Sequence, residues 1–197
     1  KKIKAFLIFN IFKFIGNGVF KINSGFGPVP VSYCIFTIQV YATYASSGHL
    51  RHCLCAFHFK PYINGTAIGG KIDVLGGSVK IASTATLDAS GENGGGLIQV
   101  GGSWQNSNAE IPESLITTVE QGAQLLANAT DQGDGGTIVV WSAVSNPASK
   151  TSAQGHFEAK GGLLGGNGGR IETSGHILNT SGVSGSANAQ LGNAGLW

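Results

Sequence analysis

GGTIVV, residues 135–140, is the stretch on which the fold turns. Gly135 and Gly136 mark a turn, and then Ile138 and Val140 alternate with Thr137 and Val139. A period of two with β-branched residues describes a half-buried strand. The same pattern recurs as GGKIDV (69–74), GGLIQV (95–100) and GGRIET (168–173). The alternation predicts Ile72, Ile98, Ile138 and Ile171 on one inward face, with Val74, Val100, Val140 and Thr173 beside them.

A second pattern lies between these strands: LDASG (87–91), ANATD (127–131), FEAKG (157–161) and LNTSG (178–182). Each begins with an apolar or small residue, followed by an acid or amide. No segment of 65–197 shows a long amphipathic helix pattern; the nearest candidate, 111–129, contains Pro112, Gly122 and several threonines, and fits strands better. Units recurring at this spacing build by stacking. Two architectures remain open. Asn93-Gly94 and Asp134-Gly135 would suit the turns of a hairpin sandwich. A parallel β-solenoid accounts for more, because stacked coils set Ile on Ile, Val on Val and Ala on Ala. The expected fold is therefore all-β, a parallel β-helix over 65–197 of five or six coils. Its glycine pairs are expected at corners of positive φ.

Composition changes near residue 65. Residues 1–64 hold seven basic and no acidic residues, all three cysteines and nine of the ten phenylalanines. Residues 65–197 hold five basic and ten acidic residues, most of the glycines and all three tryptophans. The expected organisation is a basic, aromatic-rich leader (1–64) and a β-helix repeat segment (65–197) cut in mid-repeat. The leader opens with Lys1, Lys2 and Lys4 and an apolar run to Ile15, which reads as a degraded export signal or as a non-native segment. Its charges are scattered among phenylalanines, which argues against nucleic acid as a partner.

Chemistry-bearing residues are sparse. His49, His52, Cys53, Cys55 and His58 are the densest set of metal-type ligands but lack a second paired arm, so they are weak metal candidates. GGNGGR (165–170) has Arg170 where a calcium repeat needs aspartate. Asp73, Asp88, Glu158 and Glu172 fall at alternate, outward positions and read as solvated faces, and Asp131 and Asp134 sit in a turn. His156 and His176 have no serine or cysteine constellation in sequence. No catalytic residue, cofactor or resident metal is expected. Trp104 and Trp141 are candidate binding-surface residues, able to stack on sugar if outward, although a corner role is favoured. The insertions Ser103–Ser114 and Ser142–Gln154 are expected to be exposed and dispensable for folding.

LDASGENGGGLIQVGG (87–102), GDGGTIVVWS (133–142), GHFEAKGG (155–162), GGNGGRIETSG (165–175) and GNAGLW (192–197), in this order, carry a resemblance. The segment resembles the filamentous-haemagglutinin-like exoproteins of bacterial two-partner secretion. Residues 1–64 do not match that family's secretion domain, and its Asn-Pro-Asn type motif is absent. The resemblance implies a right-handed β-helix, secreted or held at the bacterial cell surface, with an outer-membrane transporter and a host-cell or surface glycan or protein receptor as partners. It implies an adhesive or structural role. The alternatives are a haem-utilisation exoprotein, for which only His156 and His176 could ligate iron in the β part, and a β-helix polysaccharide lyase or hydrolase.

Overall fold

The computed structural model describes the backbone of residues 33–42 and 53–62 and the whole of residues 68–197. Two strands come first, β1 (Tyr33–Ala42) and β2 (Cys53–Tyr62), paired antiparallel. Twelve short strands follow: β3 (Lys71–Val74), β4 (Ser78–Ile81), β5 (Thr86–Asp88), β6 (Leu97–Val100), β7 (Ile116–Val119), β8 (Gln124–Leu126), β9 (Thr137–Trp141), β10 (Lys150–Ala153), β11 (His156–Glu158), β12 (Arg170–Ser174), β13 (Ile177–Asn179) and β14 (Ser184–Ser186). Every third strand pairs in parallel, giving sheets ordered β12-β9-β6-β3, β13-β10-β7-β4 and β1-β2-β5-β8-β11-β14. This is a parallel β-helix with three strands per coil. Four coils are complete, and a bridge from Leu196 to Arg170 opens a fifth. The count is below the five or six expected, because each coil takes three strands and the insertions lengthen the second and third.

β2 pairs with β5 in parallel, Phe57 beside Leu87 and His58 beside Asp88, and so extends one wall of the helix. The expected boundary near residue 65 falls in 63–67, outside the described residues.

The register stacks Ile72, Ile98, Ile138 and Ile171, and beside them Val74, Val100, Val140 and Thr173. The four isoleucines are at most 7 % exposed, as the alternation predicts. The second recurring pattern is corrected. Leu87 pairs with Leu125 and Leu125 with Phe157, so the counterpart of LDASG is LLANA (125–129), two residues upstream of the expected start. Leu178 lies in another sheet, opposite Thr151. The true fourth member is Gly185, opposite Phe157. Hydrophobicity alone misled, because the last coil has glycine at the core position.

The glycine pairs also serve a different purpose from the one expected. The positive-φ glycines are others, among them Gly101, Gly122 and Gly133. In the pairs the constraint is backbone approach. A Cβ on Gly95 would lie 1.9 Å from the Ala127 carbonyl oxygen, and one on Gly136 would lie 2.0 Å from that of Gly96. Ala89, Ala127, Ala159 and Ala187 form the facing column, and their carbonyls accept from Gly96, Gly136, Gly169 and Gly195 respectively at 2.7–2.8 Å.

At another corner buried hydroxyls serve the backbone. Thr117 Oγ1 donates to the Trp141 carbonyl at 2.6 Å, and one coil on Thr151 Oγ1 bonds the Ser174 carbonyl at 2.7 Å and Ser142 Oγ at 2.8 Å. Both threonines are at most 1 % exposed. Thr151→Val keeps the shape and deletes the hydroxyl that bonds the buried Ser142 Oγ and shares the Ser174 carbonyl with the Ser142 N–H. It is expected to cost about 1–3 kcal/mol in urea unfolding.

Candidate functional surface

The wall formed by β3, β6, β9 and β12 carries the most elaborate surface. Its outward residues Gln99, Val139 and Trp141 are all buried, at 6 % exposure or less. The segment 101–115, inserted between β6 and β7, reaches Trp141 from both ends. Gly102 lies against its indole, where a Cβ would sit 2.4 Å from Cδ1, and Glu113 Oε1 accepts from Nε1 at 2.7 Å. Trp141 is therefore a corner anchor and is removed from the candidate binding surface, since a buried ring offers no free face to a ligand.

The insertion is self-supporting. Ser103 Oγ accepts from the Asn108 N–H at 3.2 Å, and Asn108 Oδ1 accepts from the Glu110 N–H at 3.0 Å. Residues 105–110 and Pro112 are exposed, as expected, while Ser103, Ile111 and Ser114 are buried and build the ends of the segment into the fold. The second insertion is corrected. β10 lies inside Ser142–Gln154, with Thr151 and Ala153 in the interior, and the true loop is 142–149.

The tip crosses two coils. Trp104 lies over the Arg170 guanidinium at 4.5 Å from ring centroid to carbon, and the Gln105 N–H donates to Glu172 Oε2 at 2.8 Å. Gln105 and Asn106 adopt φ of 48° and 51°, the left-handed region that non-glycine residues rarely occupy. Arg170 Nε in turn donates to Thr137 Oγ1 at 3.0 Å. The arginine that spoils the calcium pattern is thus the residue on which the loop tip is seated.

A second polar cluster lies on the wall of β5, β8, β11 and β14. His156 Nδ1 is 3.0 Å from Ser184 Oγ, and its Nε2 is 3.1 Å from Glu158 Oε1. Lys160 Nζ bonds the same Glu158 oxygen at 2.5 Å, and Asn128 Nδ2 donates to Oε2 at 3.1 Å. His156 therefore does have a serine neighbour, brought from 28 residues away by the stacking of coils. The N–H of Ser184 is engaged with the Gly155 carbonyl at 3.1 Å. The arrangement is a hydrogen-bonded ion cluster. Burial raises the Glu158 pKa, but the hydrogen bonds from Lys160, His156 and Asn128 and the Lys160 charge outweigh it and hold the carboxyl below its ordinary range. A carboxyl depressed on folding stabilises the protein above its unfolded pKa, and that contribution is lost as pH falls through the folded one. Glu158→Gln should thus lower the melting temperature at about pH 6, with the gap from the native chain closing towards about pH 3.

The other carboxylates are dispersed. Asp73 and Asp88 are buried, contrary to their expected solvated placement. Lys71 pairs with Asp73 at 2.8 Å, and Asp88 Oδ1 accepts from the Ser90 N–H at 2.9 Å. Asp134 Oδ1 accepts from the Asn167 N–H at 2.7 Å, and Asn167 Oδ1 from the Asn193 N–H at 3.0 Å. This ladder was missed, though its signal, an acid or amide just before the corner, is in the sequence. His176 Nδ1 faces the Val144 carbonyl, away from the His156 cluster. His49 and His52 lie outside the described residues. Cys53, Cys55 and His58 lie on β2, where only the backbone is described.

Comparison with known proteins gives a similarity of fold. No family model and no curated protein matches the chain. The fold is similar to that of the HMW1 secretion domain from Haemophilus influenzae. The TM-score is 0.50 at 25% identity, over 64% of this chain and 34% of that one. This chain thus spans about a third of the length of its structural neighbour. The neighbour is described as a secretion domain and not as an enzyme.

Proposed function

We propose that this chain is a structural and adhesive segment of a secreted bacterial exoprotein of filamentous-haemagglutinin type. The observation that carries the reading is the coincidence of a three-walled parallel coil with similarity to the HMW1 secretion domain. The ordered sequence tokens 87–102, 133–142 and 165–175 support it independently. A stiff stack of coils suits display, with recognition left to loops on its walls. Export would engage an outer-membrane transporter, and attachment a surface glycan or protein. The test is fractionation of the native cells with an antibody raised against this chain, with and without the transporter gene. Antigen in the medium or on the surface, lost with the transporter, is expected. Antigen confined to the cytoplasm overturns the reading.

A further inference from the structure

The wall of β5, β8, β11 and β14 brings an amine, a carboxylate and a carboxamide together at one point. Asn128 lies two residues past β8, and Lys160 two residues past β11. The register that sets Leu126 beside Glu158 carries on, so Asn128 and Lys160 stack on successive coils although 32 positions apart. Glu158 bridges their side chains. Its Oε1 accepts from Lys160 Nζ at 2.5 Å, and its Oε2 accepts from Asn128 Nδ2 at 3.1 Å. The backbone N–H of Lys160 donates to Asn128 Oδ1 at 2.8 Å. An ion pair needs only the lysine and the glutamate. Here the carboxamide is also held at both ends, beside an amine that shares its carboxylate. The Glu158 side chain is 20 % exposed, which restricts water at the bridging group.

We infer that Lys160 and Asn128 form an intramolecular isopeptide bond, with Glu158 as the catalytic base. Acyl transfer requires a nucleophile, a base within hydrogen-bond reach and a donor on the oxygen that gains charge. Glu158 takes a proton from the Lys160 ammonium. The free amine attacks Asn128 Cγ, and the charge that develops on Oδ1 is held by the Lys160 N–H. Glu158 then passes the proton to Nδ2, the bond from Cγ to Nδ2 breaks, and ammonia leaves. The surplus proton on the new amide nitrogen goes through Glu158 to the ammonia. One C–N bond forms and one breaks, nothing is oxidised or reduced, and the products are a secondary amide and ammonium. At neutral pH the carboxylate and the ammonium are the stable pair, so closure is slow and the ion cluster is its starting state. The bond would tie the second coil to the third beside the ladder of β8 and β11. It concerns the coil itself and stands independently of the adhesive reading.

The test incubates the full chain and follows its intact mass. A species lighter by one ammonia is expected, forming about tenfold faster or more at about pH 9 than at about pH 7, because only a neutral amine attacks. Digestion should yield one branched peptide joining 128 to 160. Lys160→Arg keeps a positive charge beside Glu158 but stays protonated, so it should abolish the product, as should Asn128→Ala. Glu158→Gln should slow closure about a hundredfold. Urea unfolding of each variant checks that the coil is kept, and the linked species should unfold at higher urea than the open one. Lys160→Arg decides the matter if Glu158→Gln does not fold. Asn93-Gly94 and Asn167-Gly168 can also lose ammonia, by closing a succinimide on their own backbone. A loss that survives in Lys160→Arg or maps to those sites, an unchanged rate in folded Glu158→Gln, or no loss on prolonged incubation at the higher pH overturns the proposal.

Discussion

Gly136→Ala should unfold this protein at markedly lower denaturant, with a loss of about 3 kcal/mol or more. The added methyl would stand 2.0 Å from the Gly96 carbonyl oxygen and 2.7 Å from the Gly95 carbonyl carbon, both backbone atoms of the coil before it. A flexible side chain could swing away from such a contact, but a ladder strand cannot. β6 and β9 are pinned through the register Leu97–Thr137 to Val100–Val140, and separating them breaks bonds on that wall. Overpacking in a close-packed interior typically costs 1–3 kcal/mol, and a backbone obstacle on a fixed rung places this site at the upper end or beyond. Gly77→Ala is the matched control. A Cβ there meets nothing within 4 Å, and its φ lies outside the left-handed region. Restricting the unfolded chain at such a site is worth about 0.4–1 kcal/mol of stabilisation. Urea titration of both variants measures the contrast. Equal stability of the two alanine variants would mean that the corners are not in backbone contact.

The same corners separate what was legible from what was not. Period-two alternation after each glycine pair located β3, β6, β9 and β12 and their inward isoleucines, because a half-buried strand writes its burial into every second residue. The third wall was legible at Leu87 and Phe157 and misread at 127 and 178. There the inward residue varies from Leu to Phe to Gly, and three-residue strands are too short to show a period. The middle wall carries threonine inside, at Thr117 and Thr151, so its polarity hid its burial. Contacts between coils were invisible for another reason. Trp104 and Arg170 are 66 positions apart, and His156 and Ser184 are 28. Uneven insertions prevent any fixed spacing from predicting which outward residues meet.

The second large effect is expected at Phe157. It is the largest of the fully buried side chains, and it stands in a column with Leu125 on one side and Gly185 on the other. Gly185 contributes no side chain, and a Cβ there would lie 1.9 Å from the Phe157 carbonyl oxygen, so that neighbour cannot grow to fill a vacated space. Ala123, Ala127 and Ala159, in the same core cluster, are likewise too small to reach across. The spacing of coils is set by ladder hydrogen bonds at about 4.8 Å, so the walls cannot close in. Phe→Ala substitutions in cores cost about 3–5 kcal/mol, with the spread governed by how far the site collapses. Phe157→Ala should therefore lie near the top of that range, whereas Phe157→Leu, which repeats the residue at position 125, should cost about 1.5 kcal/mol or less. Trp197, whose ring centroid is 6.1 Å from that of Phe157, is half-exposed and loses that ring contact in Phe157→Ala, so its fluorescence should shift to the red before global unfolding. A loss below about 1 kcal/mol for the alanine variant, with unchanged tryptophan emission, would place the ring outside the coil and refute the register of β8, β11 and β14.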